Sequence, residues 1–86
     1  MDKIVIFASP TKMAKLFVFK NEELVEDIST TLDGFSDMVL TLAAQYNIQC
    51  IDINGVKAFT YKLGEDIAKK NIDKYHNVPL SIQYIR

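Results

Sequence analysis

The first apolar segment of the chain is a continuous run, Lys3–Ala8 (KIVIFA), which is typical of a strand covered on both faces. Turn-forming residues 9–12 (SPTK) end this run, and Met13–Lys20, rich in β-forming side chains, follows as a second strand. A short polar connection leads to residues 23–30, whose weaker alternation favours an edge strand. The three segments together predict an antiparallel meander.

A helix is predicted between Asp33 and Asn47. Asp33 is placed to cap the first turn with its carboxylate, and Asn47 to end the helix in a left-handed conformation. Apolar side chains recur between them at spacings of three and four, which gives one stripe that can face a sheet. The residues of this stripe are Phe35, Met38, Val39, Leu42, Ala43 and Tyr46.

The second half of the chain predicts a strand, a helix and a strand. The β-branched run 48–53 indicates an interior strand, and a second helix starts near Val56 with Asn54 as its candidate cap. Gly64 costs about 1 kcal/mol relative to Ala in a helix interior, but on the apolar stripe it allows the helix to approach the sheet closely. Pro79 ends the helical region, and alternation over residues 80–84 predicts a half-buried last strand.

These elements predict an α/β fold of order βββαβαβ, with a five-stranded mixed sheet and two helices in a single domain spanning residues 1–86. The first and fourth strands are the most apolar and belong inside the sheet, so the predicted spatial order is 3-2-1-4-5. This arrangement resembles the core of the ribonuclease H-like superfamily in topology, without a match to a family motif. The alternative is another small α+β meander sandwich.

Composition narrows the function classes. The 86 residues are 49% hydrophobic and 24% charged, as expected of one soluble domain. Ten basic and eleven acidic residues give a net charge of −1, which is neither the basic bias of a nucleic-acid binder nor the acidity of a DNA mimic. No apolar run is long enough for a membrane span or a signal peptide. The single cysteine, Cys50, favours a reducing cytoplasm.

The resemblance to ribonuclease H-like nucleases implies a test of chemistry. Those enzymes hold two divalent metals with acids on strand one, on the first helix and at the end of strand four. Here residues 5–7 are Val-Ile-Phe where the first acid is expected, while Asp37 matches the helix position and Asp52 the end of strand four. The final acid of the superfamily, on a closing helix, has no counterpart. We therefore predict no nuclease activity and no bound metal.

The glycines and the lone histidine give no stronger indication of an enzyme. Gly34, Gly55 and Gly64 are dispersed and form no phosphate-cradling cluster, which predicts no ATPase activity and no cofactor. His76 has no accompanying nucleophile and carboxylate, and a solvated position at a helix end explains it. Cys50, within the predicted fourth strand, is expected to behave as a small buried hydrophobe.

One turn is a candidate ligand site. Asp52, Asn54, Gly55 and Lys57 lie where the fourth strand passes into the second helix, and helix N-termini at strand ends bind anions. These residues could hold a phosphate in a degenerate or partner-completed nucleotide or nucleic-acid site. Turn and cap chemistry explains the same residues more simply.

The lysines of the second helix favour a solvated face over a nucleic-acid surface. Glu65 precedes Lys69 by four residues and Asp66 precedes Lys70 by four, the favourable order for ion pairs within a helix. The other two lysines of this candidate stripe are Lys62 and Lys74. We therefore expect no nucleic-acid partner.

A surplus of apolar residues is the better functional indication. Strand two carries four apolar residues in succession, so some must face away from the helices if both helices pack on one side. We predict an interaction surface that contains Phe17, Phe19, Tyr61 and Tyr84. The sequence thus favours a cytoplasmic, non-enzymatic protein-interaction or regulatory module, with a protein partner or a second copy, and a phage or mobile-element accessory role. A structural subunit of an oligomer is the further alternative.

Overall fold

The computed structural model describes residues 2–9 and 11–85. Its elements are β1 (Lys3–Ala8), β2 (Met13–Lys20), β3 (Glu23–Thr31), α1 (Phe35–Tyr46), β4 (Cys50–Asn54), α2 (Lys57–Lys74) and β5 (Ser81–Ile85). One mixed sheet has the order β3-β2-β1-β4-β5, with β1, β4 and β5 parallel to one another and β2 antiparallel to both of its neighbours. The predicted fold class and strand order are confirmed. Pro10, expected in the first turn, lies outside the described residues.

Both helices pack on the same face of the sheet. Alternate residues of the three central strands are fully buried on this side, because successive side chains of a strand point to opposite faces. The core between sheet and helices includes Ile4, Ile6, Leu16, Val18, Ile51 and Ile53 from the strands and Phe35, Val39, Leu40 and Ile67 from the helices. The prediction that β1 is covered on both faces is wrong, since Phe7 is exposed on the other side.

The helix ends differ from the predictions at the N-termini. α1 is capped by Gly34 in a left-handed conformation rather than by the Asp33 side chain, and α2 is capped by the extended residue Val56 rather than by Asn54. Asn47 does end α1 in the predicted left-handed conformation, at φ 54°. Backbone geometry, with no side-chain hydrogen bond, therefore starts both helices.

The two helices meet through polar side chains. Asp37 of α1 accepts hydrogen bonds from Lys70 and Lys74 of α2, each at 3.0 Å, and the Ser36 hydroxyl donates to Asp66. Lys70 thus pairs across the helices, and the predicted ion pair with Asp66 within α2 is not formed. The hydrogen bonds from Lys70 and then Lys74 lower the pKa of Asp37, and the same bond raises the pKa of Lys70.

Gly64 lies where α2 approaches β5. A Cβ atom added at this position would overlap the Tyr84 hydroxyl and lie 2.8 Å from the ring carbon Cζ. The absence of a side chain at Gly64 therefore makes room for the Tyr84 ring between helix and sheet, as the sequence predicts for a glycine on the apolar stripe.

We expect Gly64→Ala to destabilise the protein by about 1 kcal/mol, because displacing a packed ring costs about 1–3 kcal/mol and exceeds the gain of about 1 kcal/mol in helix propensity. In a Tyr84→Ala background the same change should stabilise by about 1 kcal/mol. Urea denaturation of the wild type, the two single variants and the double variant measures the effect of Gly64→Ala in each background. Equal effects of Gly64→Ala in the two backgrounds would contradict the packing role.

Asp37→Asn should lower the free energy of unfolding at neutral pH. Because the folded-state pKa of Asp37 lies below its ordinary value of 3.8, the stabilisation is present above that value and is lost as pH falls through the folded pKa. The difference in the free energy of unfolding between wild type and Asp37→Asn should therefore shrink below pH 3.8. Denaturation at a series of pH values checks this, with Asp73→Asn, which changes an exposed acid of α2, as the control that leaves the profile unchanged.

Candidate interaction face

The sheet surface opposite the helices is here called the open face. It is built from the residues of each strand that alternate with the core positions. The open face comprises Lys3, Val5 and Phe7 from β1; Met13, Lys15, Phe17 and Phe19 from β2; Leu24, Asp27, Ser29 and Thr31 from β3; Cys50, Asp52 and Asn54 from β4; and Ser81, Gln83 and Ile85 from β5.

Apolar side chains occupy the centre of the open face. Val5 pairs with Phe17 across β1 and β2, and the Phe7 and Phe17 rings meet edge to face with centroids 5.9 Å apart. Together with Phe19 and Leu24 they line a shallow depression of about 410 Å³. Phe7 is 47% exposed and Leu24 50% exposed. Burying such side chains stabilises a complex by roughly 1.5–3 kcal/mol each, so this centre favours coverage by another surface.

Charges of both signs surround the apolar centre. The Lys3 ammonium lies 3.4 Å from Asp52, and the Lys15 ammonium lies over the Phe17 ring, 5.7 Å from its centroid. Asp27 pairs with Phe17 in the register of β2 and β3. These two basic and two acidic side chains have no net charge, so the surroundings of the apolar centre offer no positive field for a phosphate backbone.

The structure brings only part of the predicted interaction surface together. Phe17 and Phe19 are on the open face, but Tyr61 and Tyr84 meet edge to face on the helix side with ring centroids 4.5 Å apart. Their assignment to the same surface is wrong, because Tyr84 shares the orientation of Ile82 in β5 and faces α2. Each strand position has a defined side, and the sequence pattern of β5 alone does not say which side carries the helices.

Sequence reasoning did not single out the β1 half of the open face. Val5 and Phe7 complete the apolar centre, and Met13 and Leu24 flank it. The continuous apolar run of β1 is the signal that could have found them, because it places apolar side chains on both sides of the strand. The helices cover one side, and Phe7 is exposed on the other.

The residues of the candidate anion site point to different surroundings. Asp52 faces Lys3 on the open face, whereas the Lys57 ammonium lies 5.6 Å from the centroid of the Tyr61 ring, which packs on the helix side. The two charged groups proposed to share a phosphate therefore lie on opposite sides of the sheet.

The other two residues of the candidate anion site, Asn54 and Gly55, hold the turn after β4 against β1. Asn54 donates a hydrogen bond from Nδ2 to the carbonyl oxygen of Ile6 at 3.2 Å. Gly55 adopts φ 146°, and a Cβ there would lie 2.7 Å from the Ala8 carbonyl oxygen. Close packing of the turn on β1 thus requires glycine at this position.

The other chemistry-bearing residues are also dispersed. Asp37 is engaged by lysines on the helix side, and Asp52 lies on the open face. Among residues 2–9 and 11–85, no three His, Cys, Asp or Glu side chains are grouped so that they could hold a metal ion. Cys50 is half-buried at the start of β4, and His76 is exposed after α2. No helix in this part of the chain is long and apolar enough to cross a membrane.

Comparison with models of known protein families finds no match, and comparison with curated protein sequences also finds none.

We expect Phe7→Gln to preserve the fold with a loss of about 1 kcal/mol in the free energy of unfolding, because the side chain is half exposed and its ring contact is with Phe17. Leu16→Ala, on the buried side of the neighbouring strand, should cost about 2–5 kcal/mol. Phe7→Gln should also reduce the fluorescence of a bound hydrophobic dye. Urea denaturation and dye titration make both measurements, and equal destabilisation by the two substitutions would contradict an uncovered face.

Proposed function

We propose that this protein is a non-enzymatic protein-interaction module and that it binds its partner through the open face. The apolar centre formed by Val5, Phe7, Phe17 and Phe19 carries this proposal. Contiguous exposed apolar surface rimmed by polar groups is typical of protein-binding sites. The dispersed carboxylates add support, since they give a reaction no common centre.

The composition of the open face indicates how it would recognise a partner. Aromatic side chains contribute most to binding energy when they are fully desolvated at the centre of an interface. Phe7 and Phe17 occupy this central position, and the ion pair of Lys3 with Asp52 lies at the edge. A complementary partner would present an apolar segment flanked by both acidic and basic side chains.

We also propose a cellular location, a fold relationship and a biological role for this protein. The single cysteine fits a reducing cytoplasm, and the strand order supports a relationship to ribonuclease H-like cores. A small domain that acts by binding fits a phage or mobile-element accessory protein. The nucleotide or nucleic-acid alternative at Asp52 and Lys57 is less favoured, because these groups face different sides of the sheet.

Photo-crosslinking from the open face tests the proposal. The benzoyl group of Phe7→p-benzoylphenylalanine should crosslink in native lysate to a protein of defined mass, both with and without nuclease. The matched control is Gln45→p-benzoylphenylalanine, an exposed position on α1, which should not give this product. Binding of the identified protein, once purified, should weaken by about 10–100-fold for Phe7→Gln, as expected when a central aromatic residue is removed.

Three outcomes would count against this function. Crosslinks of the same kind from both positions would show no preference for the open face, and no product from Phe7→p-benzoylphenylalanine would leave that face without a partner. Products that disappear after nuclease treatment would instead favour the nucleic-acid alternative.

A further inference from the structure

The two edges of the sheet carry different charges. β3, at one edge, contains three acidic residues, Glu23, Glu26 and Asp27, and no basic residue. β5, at the other edge, has the sequence SIQYI and carries no charge. Natural proteins protect exposed edges with charges, because unpaired backbone groups otherwise pair with another strand. The β5 edge lacks this protection within the described residues.

Backbone pairing defines which groups of β5 are directed outward. The Ser81 N–H donates to the Gln49 carbonyl oxygen at 2.7 Å, so Ser81 and the alternating residues Gln83 and Ile85 turn their backbone groups toward β4. The N–H and C=O groups of Ile82 and Tyr84 therefore point away from the sheet. They form a short template for one more strand.

A groove lined by both apolar and polar residues borders this edge on the helix side. It has a volume of about 420 Å³ and is lined by Ala68, Ile72, Val78, Leu80 and Ile82, among others. Ile72 is 61% exposed and Val78 42% exposed. The groove is well defined, because the buried Asn71 side chain exchanges hydrogen bonds with the Val78 backbone at 2.8 and 3.1 Å. Apolar side chains and free backbone groups thus occur together at β5.

We propose that two copies of this chain associate through β5 in antiparallel pairing, with the twofold axis at Gln83. In this register Ile82 lies opposite Tyr84 of the second copy, and each exchanges its outward N–H and C=O with the other. An axis at Ile82 would instead place Tyr84 opposite Leu80 of the second copy, which lies outside β5. The proposed register also places a β-branched side chain beside an aromatic ring at both symmetric positions, a favourable cross-strand pair.

A second copy suits this edge because the strand is complementary to itself. Two uncharged β5 strands bring no like charges together, whereas pairing of two β3 strands would collect six acids (three from each). α2 runs beside β5, so the axis also brings the two α2 helices together. Tyr84 contacts Gly64, and Ile82 lines the groove together with Ala68. Because Gln83 lies between Ile82 and Tyr84, the axis passes α2 between Gly64 and Ala68. Ile72 then lies near Tyr61 of the second copy.

This dimer leaves the open face free. A twofold axis that continues a sheet is perpendicular to it, so both open faces lie on the same side of the joined sheet. The pairing therefore doubles the surface proposed to bind a partner, and it is independent of whether that partner exists. Bivalent presentation of this kind strengthens binding to a repeated or extended target.

Sedimentation equilibrium of the full chain tests the association. Wild type should be a dimer, and Ile72→Lys should raise the dissociation constant by about 100-fold, since each copy loses an apolar contact to a charge. Circular dichroism and thermal unfolding of the isolated Ile72→Lys monomer should show an intact fold, because the side chain is exposed. Phe7→Lys, a matched charge on the open face, should remain dimeric.

Disulfide trapping tests the register. In a Cys50→Ser background, Gln83→Cys should form a covalent dimer on mild oxidation. Residue 83 lies opposite residue 83 of the second copy in a non-hydrogen-bonded pair, and the Cα atoms of such a pair are about 4.5 Å apart, which is within the range of a disulfide. Asp27→Cys in the same background, at the β3 edge, is the matched control and should form no covalent dimer.

Three results would overturn the proposal. The first is a wild type that stays monomeric at millimolar concentration. The second is a dimer that Phe7→Lys dissociates and Ile72→Lys does not, which would place the contact on the open face. The third is a covalent dimer of Asp27→Cys that forms as fast as that of Gln83→Cys.

Discussion

The two helical connections cross the sheet in the same direction, and this constraint decides which surfaces of the molecule are buried. α1 leads from β3 to β4 and α2 leads from β4 to β5, so each connection moves toward the β5 edge. Right-handed crossovers that move in one direction place their helices on one face of the sheet. The whole core lies between that face and the helices. The opposite face receives no helix from the described chain, although its central strands carry apolar side chains there.

The same constraint shapes how the helices contact each other. Each helix directs its apolar stripe at the sheet, so the side chains that remain between α1 and α2 are polar. Asp37 with Lys70, and Ser36 with Asp66, join the helices at a partly solvated seam. Such pairs contribute little net free energy compared with apolar burial, but they set the relative position of the helices. Gly64 then allows α2 to lie close to β5.

A domain of two layers has surfaces that a three-layer domain would bury. The open face and the β5 edge are directed differently, one perpendicular to the sheet and one within its plane, so both can be occupied at once. A protein of this size buries a smaller share of its surface than a larger domain, and association recovers part of the missing burial. The proposed partner and the proposed second copy are two independent ways to do so.

The sequence by itself determined the elements and their order. The apolar runs of β1 and β4, the three-and-four spacing of α1 and the left-handed Asn47 are local signals, because period and turn chemistry act over a few residues. The strand order followed from the apolarity of β1 and β4. Helix caps were less predictable: Asp33 and Asn54 have suitable side chains, but backbone conformations at Gly34 and Val56 start the helices instead.

Only the tertiary structure decided which residues share a surface. The sequence shows that β5 alternates, but it does not show which of its sides faces α2, so the pattern alone does not separate Tyr84 from the surface of Phe17. Asp52 and Lys57 are close in sequence, yet the end of β4 and the turn into α2 direct them to opposite sides. Side-chain direction in a sheet depends on which face the crossovers cover, and that is a property of the assembled fold.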